Sequence, residues 1–70
     1  MFPQYSIVRS KRKLSDIIET GARGTILMVY QGEPNKYEVE FVTKDLQFMA
    51  LLTISEDDLE VADLSGNWSS

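Results

Sequence analysis

The sequence predicts an all-β domain of five short strands, and three observations carry that expectation. Lys36 to Val42 alternates, with Tyr37, Val39 and Phe41 on one face and Glu38 and Glu40 on the other, the period-two pattern of a half-buried strand. Gly24 to Gln31 is a nearly continuous apolar run rich in β-formers and bounded by glycines, as expected of a strand packed on both faces. Between them, Gly32-Glu33-Pro34-Asn35 has turn chemistry, because Gly accepts positive φ, Pro presets φ and Asn tolerates the left-handed region.

The remaining elements follow in order. Tyr5 to Arg9 is β-prone and begins just after Pro3, which a strand tolerates at its start. Ser10 to Gly21 is polar and basic apart from Leu14, Ile17 and Ile18. Their spacing fits one helical turn ended by Gly21, or a long loop pinned by apolar side chains. Thr43-Lys44-Asp45-Leu46 makes a second tight connection after the third strand, and Gln47 to Ile54 is the fourth. Ser55 can cap a short helical turn reaching Leu59, with Glu56, Asp57 and Asp58 near its positive end. Glu60 to Ala62 closes as a fifth strand. The domain is therefore expected over residues 1–62, and residues 63–70, Ser, Gly and Asn around Trp68, as a loose tail. Five short strands, a long first loop, two tight hairpins and one helical turn before the last strand are the order of elements in small SH3-like (KOW-like) barrels.

Composition bounds the function. The chain has 70 residues, 43% hydrophobic, with no Cys and no His, so thiol and imidazole catalysis and soft metal ligation are excluded. No catalytic residue and no cofactor is expected. A core of this size nearly cancels its conformational entropy at about 25 cal/mol per Å² of buried apolar surface, so a partner chain or a self-contact is a natural source of further stability. No apolar run approaches the roughly 20 residues of a membrane span, and the first ten residues lack the features of a secretory signal. The expectation is a cytoplasmic protein with no membrane association.

The net charge of -4 disfavours autonomous nucleic-acid binding. The charge is unevenly spread: residues 1–24 carry five basic side chains against two acidic, and residues 25–70 carry two basic against nine acidic. The basic cluster Arg9, Lys11, Arg12 and Lys13 could track phosphates, the alternative in which the domain binds nucleic acid as KOW-like barrels do. No aromatic lies between Tyr5 and Tyr30 to stack on bases, which favours a solvated loop. The acidic set Glu56, Asp57, Asp58, Glu60 and Asp63 lacks the ligand spacing of a calcium loop and is read as cap and solubilising charge. Glu38 and Glu40 share a face, but nothing suggests a cleft around them for glycoside chemistry.

Three stretches carry a resemblance: Gly24-Thr25-Ile26-Leu27-Met28-Val29-Tyr30, Tyr37-Glu38-Val39-Glu40-Phe41-Val42, and Ala50-Leu51-Leu52-Thr53-Ile54 followed by an acidic turn and Leu59. In this order and spacing, from Val8 to Val61, the chain resembles bacterial domain of unknown function family 4926. Two positions depart from the pattern: Met28 stands where an acidic residue is expected, and Ala22-Arg23 where Gly-Asp is usual. The resemblance implies no catalytic residue. It suggests, by analogy with companions of toxin genes, an antitoxin or immunity role.

Strand pairing then places a candidate site. With Tyr37, Val39 and Phe41 inward, in-register neighbours of Glu38 and Glu40 point outward. Taking Leu27 and Val29 as inward on the second strand, and Ala50, Leu52 and Ile54 on the fourth, leaves Met28, Tyr30, Met49 and Leu51 outside beside Glu38 and Glu40. An apolar surface around two carboxylates fits a protein partner with a basic surface, such as a toxin, or a second copy of the chain. In the alternative, the first loop and the tail with Trp68 cover that face.

Overall fold

The computed structural model describes residues 1–62; the expected tail, Trp68 included, lies outside the described residues. Five antiparallel strands, β1 (Ile7–Ser10), β2 (Arg23–Tyr30), β3 (Lys36–Val42), β4 (Phe48–Ser55) and β5 (Leu59–Val61), form one sheet in the order β4-β3-β2-β1-β5. A 3₁₀ turn at Glu56–Asp58 precedes β5. A three-stranded meander of β2, β3 and β4, with β1 beside β2 and β5 returning to lie beside β1, is the SH3-like arrangement expected from the sequence.

β3 has the predicted bounds, because its alternation fixes both phase and length. β1 starts two residues later than expected. Tyr5 has φ 69°, and the Ser6 N–H donates to the Pro3 carbonyl at 3.1 Å, a turn that cannot belong to a strand. The 3₁₀ turn is capped as predicted: the Asp57 N–H donates to Ser55 Oγ at 3.3 Å.

The first long segment is a pinned loop. The Ser15 hydroxyl accepts the Ile18 N–H at 3.2 Å, and the Leu14 N–H donates to the Ile18 carbonyl at 2.9 Å. These local bonds replace a helical ladder. Ile18 is fully buried and Leu14 packs against the core, while Ile17 points to solvent. The loop thus covers the inner face of the sheet, where Val8, Ile26, Tyr37, Val39, Phe41, Ile54 and Leu59 meet.

Two bulges set which residues face outward. On β2, Ile26 pairs with Val39 and Met28 with Glu38, so Leu27 has no opposite residue. The extra residue reverses the alternation. Strict alternation would carry Ile26 outward with Met28; in fact Ile26 is fully buried before the bulge, and Val29 packs on the core after it. On β4, Phe41 pairs with Ala50 and Val42 with Phe48, which leaves Met49 as the extra residue. Met49 is therefore corrected from the outer face to a half-buried position against the core.

Tyr37 ties the ends of the meander together. Its buried hydroxyl donates to Glu56 and accepts the Phe2 N–H at 2.9 Å, and Asn35 Nδ2 donates to the same Glu56 oxygen at 3.1 Å. Burial raises the phenol's pKa, with the bond to Glu56 acting the same way. The Tyr37 hydrogen bond, and then that of Asn35, holds the Glu56 carboxyl below its usual range.

Candidate protein interaction face

The outer face of the meander is built in rows by cross-strand pairing. Met28 lies opposite Glu38, which lies opposite Thr53, and the Thr53 hydroxyl donates to Glu38 at 3.1 Å. Thr25, Glu40 and Leu51 form the next row, and Tyr30 lies opposite Lys36. Met28 is 51% exposed, Tyr30 43% and Leu51 46%. The Tyr30 hydroxyl lies 3.9 Å from the Met28 sulfur, which links the two side chains along β2. No ion pair joins Glu38 or Glu40 to a cation among the described residues.

Of the six residues the sequence nominated, the fold brings Met28, Tyr30, Glu38, Glu40 and Leu51 to one face and sends Met49 to the core side. The first loop packs on the opposite face, through Ile18 and Leu14, and so does not cover this one. Ile7, Thr25, Glu40, Val42 and Leu46 line a shallow depression that continues the face. Val42 was findable, since it shares the parity of Glu38 and Glu40. Leu46 was not: it is exposed at φ 63° in the β3–β4 turn, a geometry that apolar sequence pattern does not encode.

With this geometry in hand, comparison with known proteins gives one match: a family model described as Domain of unknown function (DUF4926) covers residues 3–61. The chain belongs to that family. No curated protein and no solved structure matches it. The three stretches that carried the resemblance fall on β2, β3 and β4 of this DUF4926 chain, the strands that make the outer face. Met28, where the resemblance implies an acidic residue, puts an apolar side chain directly beside Glu38.

The basic loop of the DUF4926 chain is matched to its acidic turn. Arg12 grips Asp58 with two bonds, Nε to Oδ1 at 2.9 Å and Nη2 to Oδ2 at 3.0 Å. Arg9 Nε donates to Glu60 at 3.0 Å, and Lys13 lies 3.7 Å from Glu19. The Arg12 hydrogen bond holds the Asp58 carboxyl below its ordinary range, and the charges of Arg12 and Lys11 pull the same way. The opposite charges of the two halves of the sequence thus partly meet inside the fold, across 46 positions of chain.

A pH dependence follows. Asp58 has a lower pKa folded than unfolded, so the Arg12 contact contributes fully above about pH 4 and is lost as pH falls through the folded pKa. Arg12→Ala is expected to lower the melting temperature modestly at pH 7, with the gap to wild type closing as pH falls below the ordinary carboxylate range. Thermal melts across that range check it; a gap independent of pH would remove Asp58 as the cause.

Proposed function

We propose that this chain is a non-enzymatic protein-interaction module, an antitoxin or immunity-type inhibitor, whose outer sheet face covers a cationic and partly apolar partner surface. The observation that carries this reading is the exposed face itself. Met28, Tyr30 and Leu51 surround Glu38 and Glu40, two carboxylates with no cation paired to them among the described residues. Such a surface offers both desolvated contact and charge to a partner.

The basic loop supports the same preference, because Arg9, Arg12 and Lys13 already face carboxylates of their own chain. A phosphate would have to compete for them. Fluorescence anisotropy against short RNA and DNA is accordingly expected to show weak association that vanishes as salt rises. Tight binding at physiological salt, abolished by Lys11→Ala with Arg12→Ala, would establish the nucleic-acid reading instead.

Affinity capture from the native source, followed by titration of the identified partner, tests the proposal. Met28→Ala and Tyr30→Ala are each expected to weaken binding by about fivefold or more, or at least about 1 kcal/mol. Lys11→Ala and Lys13→Ala should change it little. Unchanged affinity in Met28→Lys, with the fold intact by circular dichroism, would place the partner elsewhere.

A further inference from the structure

Among the described residues, β4 ends the sheet on one side with β3 as its one strand neighbour, while the other edge is the three-residue β5. A sheet edge presents a row of backbone N–H and C=O groups, and proteins blunt such edges with Lys, Pro, inward charge or short length. β5 is short and carries Glu60. β4 has none of these four: it runs eight residues, Phe48-Met49-Ala50-Leu51-Leu52-Thr53-Ile54-Ser55, without a charge or a proline. Its one bulge lies at Met49, so Ala50 to Ser55 remains regular.

We propose that β4 pairs antiparallel with β4 of a second copy of this chain, about a twofold axis at Leu51, to extend the five-stranded sheet into a continuous one across the dimer. Charge selects a second copy over a cationic partner strand. Two chains of net charge -4 repel wherever their carboxylates meet, but β4 brings no charge to either side of this contact. A strand rich in Lys or Arg would find no carboxylate along β4 itself to meet it; Glu38 and Glu40 lie one strand further in, and Glu56 to Asp58 lie past its end. Antiparallel pairing also sets the turn Thr43-Lys44-Asp45-Leu46, which is neutral overall, toward the acidic turn Glu56–Asp58 of the second copy.

The side chains agree with that register. Leu51, half-exposed on the outer face, would meet its own symmetry mate, as an isologous contact requires. On the inner face Ala50 would lie beside Leu52 of the second copy, small against large. This inference does not depend on the partner-binding reading, and its readouts are taken on the chain alone.

Sedimentation velocity of the 70-residue chain is expected to show its mass doubling between about 1 and about 300 µM. Leu51→Lys should remain monomeric throughout that range with an unchanged circular dichroism spectrum. Because the chain contains no Cys, Leu51→Cys provides a second test that does not require charge in the strand: mild oxidation should yield a covalent dimer. Met28→Cys on the open face and Val61→Cys on the β5 edge should not. A wild-type chain that stays at monomer mass, or cross-linking at Met28→Cys in preference to Leu51→Cys, would overturn the proposal.

Discussion

Phe41→Ala is expected to destabilise the protein by about 3 to 5 kcal/mol, close to the whole stability of a domain this small, roughly 4 to 10 kcal/mol. The upper range applies because the site cannot collapse. Phe41 is fully buried, and its cross-strand neighbours are Gly24 on β2 and Ala50 on β4. Neither has a side chain long enough to move into the space the ring leaves. Urea unfolding should show a large loss of midpoint, or a chain already unfolded without denaturant. Glu38→Ala, one residue removed from Val39 on the outer face, should change stability by no more than about 0.5 kcal/mol. The reverse order of effects would mean that the faces of β3 are exchanged, and the candidate site would go with them.

Gly24→Ala tests the same contact from the other side. A Cβ on Gly24 would lie 2.6 Å from Val39 Cγ1, 2.9 Å from the Glu40 carbonyl oxygen and 3.1 Å from Phe41 Cδ1. The first and third are side chains locked in the core and the second is backbone, so relief requires β2 and β3 to separate. The expected cost is about 1 to 3 kcal/mol of overpacking. Combining Gly24→Ala with Val39→Ala removes the closest clash, and the pair should cost less than the sum of the two single changes. Additive costs in a double-mutant cycle would show that strand separation, rather than Val39, sets the penalty.

How far the sequence could be read depended on where it fixed a phase. β3 was legible because charged and apolar residues alternate without interruption, so Tyr37, Val39 and Phe41 could face only one way. β2 offered no such marker. In a run of apolar residues from Ile26 to Tyr30 either parity fits, and the bulge at Leu27 makes both partly correct: Ile26 and Val29 point inward although their positions differ in parity. The assignment of Met28 and Tyr30 outward depended on residues after that bulge, whereas Met49 is itself the extra residue of the second one.

Long-range pairing was hidden for a different reason. The charge imbalance between the two halves was visible, but Arg12 meets Asp58 only because β1 and β5 are neighbours, which places the two segments flanking them side by side. Likewise, Tyr37 carried a place in the core by its spacing and nothing to announce that its hydroxyl would bind Glu56 and the Phe2 N–H. The nucleic-acid alternative rested on counting cations along the chain. Folding changes that count by giving each arginine of the β1 end a carboxylate.

The proposed partner site is the outer face of β2, β3 and β4. The most direct test is a two-dimensional amide NMR map of the labelled chain, titrated with the partner recovered by affinity capture. The largest shifts and broadening are expected at Met28, Tyr30, Glu38, Glu40 and Leu51, with Arg9 to Lys13 little changed. Perturbation concentrated on the loop from Arg9 to Lys13, with the meander face silent, would contradict it.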